Sequence, residues 1–193
     1  MALTKPAGAW TYDDLLSLPE DGKRYEIIEG ELYEMPAPNL VHATIVINLI
    51  GLLLPIVAQL RGQLYTAPVD LFFHGADPVQ PDILVLLQDW RGRRARRGPE
   101  GAPHLVIEVL SPANRVHDVL TKRALYGRAG VREYGIVDPE ARSIEVLMHA
   151  HDAWRGSLTD SQEESFSSSV LGGARISLAP LFTGLDRIED DVE

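Results

Sequence analysis

No cysteine occurs anywhere in this chain of 193 residues. Disulfides, thiolate nucleophiles and sulfur-ligated zinc or iron–sulfur centres are thereby excluded. The G-x-S-x-G elbow, the Walker phosphate loop and the H-E-x-x-H helix are missing too. The motif-marked routes to acyl transfer, nucleotide hydrolysis and zinc proteolysis therefore find no support. Positive charge is scarce: 18 Lys and Arg face 28 Asp and Glu, a formal net charge of −10. A general nucleic-acid coat needs the opposite balance, but a nuclease does not, because acids belong in its metal site. The start, Met1 to Pro6, lacks the apolar core of a signal peptide, so a cytoplasmic location is expected. The one long apolar run, Leu40 to Leu60, is interrupted by His42, Asn48, Pro55 and Gln59. It is expected as a long core helix capped by Asn39, kinked near Pro55, and not as a membrane span.

What is present is an ordinary globular composition, 45% hydrophobic and 24% charged, in a length that suits one domain over residues 1–193. Thr11-Tyr12-Asp13-Asp14 reads as a capping box opening a short helix. Glu29-Gly30 reads as the turn of a hairpin between Tyr25–Ile28 and Glu31–Met35. Two strands, Val69–Phe73 and Val79–Leu87, are expected on either side of the turn-forming stretch 74–78. Arg91, Arg93, Arg94, Arg96 and Arg97 form a dense basic loop, either a phosphate grip or a merely solvated segment. Leu105–Leu110 is the next strand, broken by Ser111-Pro112-Ala113-Asn114. A helix from about His117 to Ala129 follows, stopped by Gly130. Glu133–Val137 and Ser143–Met148 form a second hairpin. Ser161–Ser169 is polar and serine-rich, Leu178–Phe182 is apolar enough to dock on the core, and the tail 186–193 is acidic. The fold class expected is α/β or α+β: a central mixed β-sheet flanked by helices.

Two acids stand out. Asp82 follows Pro81 in the apolar run Val79–Leu87, and Glu108 lies inside the apolar run His104–Leu110. Strands apolar on both sides belong at the buried centre of a sheet. Burying even a neutral polar group unpaired there costs about 2–7 kcal/mol. Strand alternation puts Asp82 with Leu84 and Leu86, and Glu108 with Val106 and Leu110. On neighbouring strands the two carboxylates can share a face. With the carbonyl of Val109 they would offer hard oxygen ligands for Mg2+ or Mn2+. Lys122 on the following helix, on one face with Asp118 and Tyr126, could orient water or steady a phosphate. Alone, Lys122 reads equally as half of an exposed ion pair with Asp118. Glu31, His42 and Asp70 are further candidates. His149 and His151 have no carboxylates at ligand spacing and are expected in a loop.

The segments YEIIEGELY (25–33), PVDL (68–71), VQPDILVL (79–86), EGAPHLVIEVLSP (100–112), DVLTKRALYGRAGVREYGIVDP (118–139) and ARSIEVL (141–147) resemble, as a set and in order, the Uma-type family of restriction-endonuclease-like proteins. That family belongs to the PD-(D/E)XK nuclease superfamily. The resemblance covers about residues 11 to 182 and implies a restriction-endonuclease-like core. It implies metal acids at Asp82 and Glu108, accessory positions at Glu31 and His42, and a lysine displaced from its usual place, here Leu110, to Lys122. It also implies a metal-dependent endonuclease acting on nucleic acid, DNA foremost, as a homodimer and away from membranes. The chain departs from the family in Pro103-His104, where Pro-Asp is usual, and in Glu133-Tyr134-Gly135, where Glu-Tyr-Trp is usual. The glycine is expected to open a cavity or contact surface, and His104 to alter dimer or substrate contacts. A rival reading keeps the fold but makes it a catalytically silent module that binds nucleic acid or a protein.

Overall fold

The computed structural model describes residues 2–3, 8–19, 21–35, 37–74, 78–111, 117–151, 153–159 and 164–189. Strand β1 (Ala2–Leu3) pairs with the hairpin of β2 (Arg24–Ile28) and β3 (Glu31–Met35) in a small sheet of order β1-β3-β2. Between β1 and β2 lies helix α1 (Tyr12–Leu16), opened by the expected capping box: Thr11 and Asp14 satisfy each other's backbone N–H. The hairpin turn needs positive φ at both central residues, and Glu29 (56°) and Gly30 (77°) supply it.

Helix α2 (Leu40–Gln59) starts at Asn39, whose side chain accepts from the His42 N–H, and continues through Pro55. It is less of a core helix than expected. Ile45, Leu49, Leu53 and Val57 are buried along one edge, while Leu40, Ile47 and Leu54 face solvent. By length and composition alone it could cross a membrane, but its buried edge is packed on the sheet.

The main sheet has six strands in the order β11-β10-β9-β8-β5-β4. These are β4 (Gln63–Thr66), β5 (Ile83–Leu86), β8 (Leu105–Val109), β9 (Glu133–Asp138), β10 (Ser143–Ala150) and β11 (Ala153–Thr159). Only β8 and β9 run parallel; the other neighbours are antiparallel, so the sheet is mixed. Helix α3 (Arg123–Ala129) covers the β8–β9 crossover and ends at Gly130 in the left-handed conformation. A π-type turn, His117–Lys122, leads into α3. One face of the sheet buries Ile83, Val85, Ile107 and Val109 under α2 and the hairpin β12 (Ser165–Ser168)–β13 (Ala174–Ser177). The short 3-10 turn Ala179–Phe182 docks on the same side, as its apolar sequence suggested. The opposite face buries Leu84, Leu86, Val106, Leu110 and Tyr134 against α3 and β2.

Several expectations change. Val69–Phe73 is no strand: Leu71 bridges Val79 and Phe72 bridges Glu100 singly. Residues 75–77 of the turn beside it, Pro112–Asn114, 161–163 of the serine-rich stretch and 190–193 of the acidic tail lie outside the described residues. The arginine loop is instead a small hairpin, β6 (Arg93–Ala95) with β7 (Gly98–Glu100). His149 sits in β10, its ring 5.0 Å from that of Trp154, not in a loop; His151 does lie in the turn that follows.

Candidate active site

The register of the central strands decides where the acids meet. Ile83 pairs with Ile107, Leu84 with Val106 and Val85 with Leu105. One more step along this antiparallel ladder sets Asp82 across from Glu108 on the face that carries Leu84 and Val106. Both carboxylates are buried, Asp82 at 7% and Glu108 at 2% exposure.

Each acid is held by named donors. Asp82 Oδ2 accepts from the Val109 N–H at 2.8 Å and lies 3.0 Å from His42 Nε2. Oδ1 takes part in neither contact. His42 reaches Asp82 because the N-terminus of α2 lies at this end of β5, where the helix dipole also favours negative charge. Burial pushes the Asp82 carboxyl up, but the His42 bond and charge, the Val109 N–H and the Lys122 ammonium outweigh it and hold the group below its ordinary value. On Glu108, Oε1 accepts from Lys122 Nζ at 3.0 Å and from the Tyr126 hydroxyl at 2.6 Å. Lys122 ends the π-type turn and Tyr126 lies four residues on in α3, so the two reach the same oxygen from one helix face. Burial, and then the charge of Glu108, push the Tyr126 hydroxyl well above its ordinary value, which keeps it a donor.

Glu26 was missed by the sequence analysis and lies in the middle of the cluster. It is 1% exposed, and its Oε2 lies 3.2 Å from Lys122 Nζ. Its Oε1 accepts from the Gln80 N–H at 2.7 Å. The signal was available: Tyr25-Glu26-Ile27-Ile28 is an acid in an apolar run, the same pattern that marks Asp82 and Glu108. Lys122, 1% exposed, thus bridges carboxylates from β2 and β8.

The remaining candidates lie apart from this cluster. Glu31 is exposed, and its carboxylate accepts from the Tyr33 hydroxyl. Asp70 accepts from the Gln80 side chain at 2.9 Å and so stands one residue removed from Glu26. The side chain of Asp118 lies outside the described residues. Among the arginines of the β6–β7 hairpin, Arg93 and Arg97 pair with Glu100, and Arg94 bonds Gln63 and lies over the Trp90 ring. Arg91 and Arg96 are exposed.

In this buried space the carboxylates of Glu26, Asp82 and Glu108 face the single ammonium of Lys122 and the ring of His42, so negative charge is in excess. Such an arrangement is costly unless a cation completes it. The donor set suits a hard divalent ion: carboxylate oxygens, and a backbone carbonyl at Val109 beside Glu108. Among the described residues, however, no group of three or more His, Asp or Glu side chains converges as a finished metal cage.

Residues 12–179 match the family described as "Uma2: Putative restriction endonuclease". Among solved structures, the chain is similar to a crystal structure described as "a putative nuclease belonging to DUF820" from Anabaena variabilis ATCC 29413. The two are 25% identical with a TM-score of 0.71, and the match covers 90% of this chain and 97% of that one. No curated protein matches.

Proposed function

The chain belongs to the Uma2 restriction-endonuclease family, and from that premise we propose that it is a nuclease that needs Mg2+ or Mn2+ to hydrolyse phosphodiester bonds of nucleic acid, DNA in the first place. The observation that carries this reading is the buried meeting of Asp82, Glu108 and Lys122 on one face of two neighbouring central strands. Such a cluster costs stability, so its presence is better explained by chemistry than by packing.

Asp82, Glu108 and the carbonyl of Val109 would hold the ion. When bound, it supplies positive charge to phosphate oxygens and acidifies water. The chain's own groups do the rest. The Lys122 ammonium stands at the carboxylate edge, where negative charge grows on a phosphate under attack. Tyr126 fixes the rotamer of Glu108, His42 fixes that of Asp82, and Glu26 holds Lys122 from the far side. Glu31, exposed on β3, is left a role only at the edge of the site, toward substrate. Cutting both strands of a duplex calls for two such sites, which favours a homodimer.

One observation favours the rival, a silent binding module: every acid of the cluster already has a partner within the chain. The deciding experiment joins binding to cleavage. Mn2+ at about a hundred times its dissociation constant should stabilise the wild type by about 2.7 kcal/mol, and Asp82→Asn and Glu108→Gln should lose that gain. Supercoiled plasmid should be cut in Mn2+ but not with chelator, and Lys122→Ala should be slower by about 10²-fold or more. A folded wild type that neither gains stability from Mn2+ nor cuts plasmid, single-stranded or branched DNA would leave the silent module.

A further inference from the structure

Helix α2 holds no Asp, Glu, Lys or Arg in twenty residues, in a chain whose net charge is −10. Its outer face exposes Leu40 (65%), Ile47 (66%) and Leu54 (49%) at intervals of seven, with exposed Ala43, Gly51, Pro55 and Ala58 between them. A single exposed leucine is unremarkable, but a continuous apolar stripe along a whole helix marks an interaction surface. We propose that this face is where two copies of the chain pair, α2 against α2, antiparallel.

The pattern of sizes is the first argument. At 3.6 residues per turn, Leu40 and Ala58 lie on the centre line of the exposed face. Ile47 and Gly51 lie a little to either side of it, and Leu54 and Thr44 a little further out. A two-fold axis at the height of Leu49 sets Leu40 level with Ala58 of the second copy, Ile47 with Gly51, and Leu54 with Thr44. Every large side chain then meets a small one. Nothing lies within 4 Å of the place a Cβ would occupy on Gly51, so the glycine leaves an open notch at the centre. Such self-complementarity is what an isologous interface requires.

Charge is the second argument. Two molecules each carrying −10 can approach closely only through a neutral patch, and α2 provides one. Nucleic acid needs cations that α2 lacks. A helix lying on a membrane surface carries Lys and Arg along its polar rim, and this one carries none. The area is the third. A helix about 30 Å long with a stripe about 10 Å wide offers roughly 300 Å² per copy, short of the ~800 Å² per partner of a stable interface. The neighbouring 3-10 segment must therefore join it. Asn48 binds that segment to α2, donating to the carbonyls of Leu181 (3.0 Å) and Thr183 (2.9 Å), and Thr183 is exposed beside the stripe. The interface is accordingly modest and reversible. The same axis places the two His42 about 20 Å apart along the helix pair, one site at each end.

Sedimentation equilibrium of the full chain tests this directly, and assembly is read whether or not the site cleaves. The wild type should show a concentration-dependent dimer. Ile47→Glu and Gly51→Leu should sediment as monomers with unchanged circular dichroism and melting temperature, since both positions face solvent. Because the chain has no cysteine of its own, mixing Ile47→Cys with Gly51→Cys and oxidising should give a cross-linked pair, while Leu16→Cys, also exposed but elsewhere, should not cross-link to either. A wild type that is monomeric at every concentration overturns the proposal. So does a dimer that survives Ile47→Glu. Wild-type binding to phosphatidylcholine vesicles that Ile47→Glu abolishes would overturn it in favour of a membrane.

Discussion

Glu26 and His104 are both buried titratable side chains, placed for different reasons. Glu26 is buried against Lys122, and in the proposed mechanism it is a positioning residue that keeps the ammonium directed at Glu108. Glu26→Gln should slow cleavage at least about tenfold while Mn2+ affinity, followed by titration calorimetry, stays within a factor of about two. Loss of Mn2+ affinity would make Glu26 a ligand instead. His104, the departure from the family's Pro-Asp, ties a turn and has no reach to the cluster. Its Nδ1 accepts from the Leu87 N–H at 3.2 Å, so its Nε2 donates to Asp89 at 2.9 Å. Burial, and next the charge of Arg132, hold its pKa below the ordinary 6.5, against the pull of Asp89. A histidine depressed in the fold adds stability above its unfolded pKa and loses it as pH falls through the folded one. The stability gap between wild type and His104→Asn, from urea midpoints, should therefore shrink between pH 8 and pH 5. A gap that widened on acidification would reverse the assignment. The burial of Asp82 and Glu108 was legible in the sequence because acids in apolar runs are conspicuous, whereas Lys122 stood out only beside them. Glu26 was overlooked beside Glu31, because motif position was weighed above the burial that β2 and β3 give Glu26 and not Glu31. Glu133 warns against reading every buried acid as chemistry. It accepts from Ser168, Ser169 and Val170 and binds β9 to the loop after β12.

At the scale of elements, strands with apolar runs and clear turns were readable, and those whose existence depends on a neighbour were not. The β2–β3 and β9–β10 hairpins, the cap of α2 and the stop at Gly130 follow from local chemistry. β4 and β11 are polar or short, and exist because an edge of the main sheet is there to pair with, while the β12–β13 hairpin pairs within itself and is held by packing Phe166 and Ile176 on the α2 side of the sheet. The π-type turn before α3 was invisible as well, since nothing in its composition distinguishes it from an α-helix. Gly135 is instructive in the other direction. In place of the family's tryptophan it was expected to open a cavity, but the space is filled: a Cβ there would stand 3.1 Å from Ile107 Cγ1. Gly135 and Ile107 are cross-strand partners on the α2 face, so the smaller residue on β9 has let the larger one on β8 settle over it. Gly135→Trp should then destabilise by about 1–3 kcal/mol through overpacking. Ile107→Ala in the same chain should recover part of that loss, a coupling of about 0.5–3 kcal/mol in a double-mutant cycle. A neutral Gly135→Trp would mean that the face has room and that Ile107 does not fill it.

For the whole molecule, charge governs how it can meet a substrate. The sum of −10 was readable at once, but its distribution was not: five clustered arginines fitted a phosphate grip and a merely solvated segment equally well. Folding spends most of them. Glu100 pairs with Arg93 and Arg97, Arg97 also lies 4.1 Å over the Phe72 ring, and Arg94 is stacked on Trp90 and bonded to Gln63. Arg91 and Arg96 remain as the hairpin's exposed cations without such partners among the described residues. If these two are its phosphate contacts, the affinity for DNA has a shallow salt dependence. The slope of log K against log salt is about −0.9 per contact, hence roughly −1.8, or about a twelvefold loss between 50 and 200 mM salt. Five free arginines would give a slope of about −4.5 and a loss of about 500-fold. Fluorescence anisotropy with a labelled duplex in Ca2+, to hold cleavage back, measures this slope. Arg91→Ala and Arg96→Ala should each flatten it by about 1, whereas Arg93→Ala should leave it unchanged, because Glu100 already holds that charge. A slope near −4.5 that Arg93→Ala also flattened would show that DNA pulls the arginines away from Glu100. The hairpin would then be an arm that opens on the substrate and not a closed ion-paired unit.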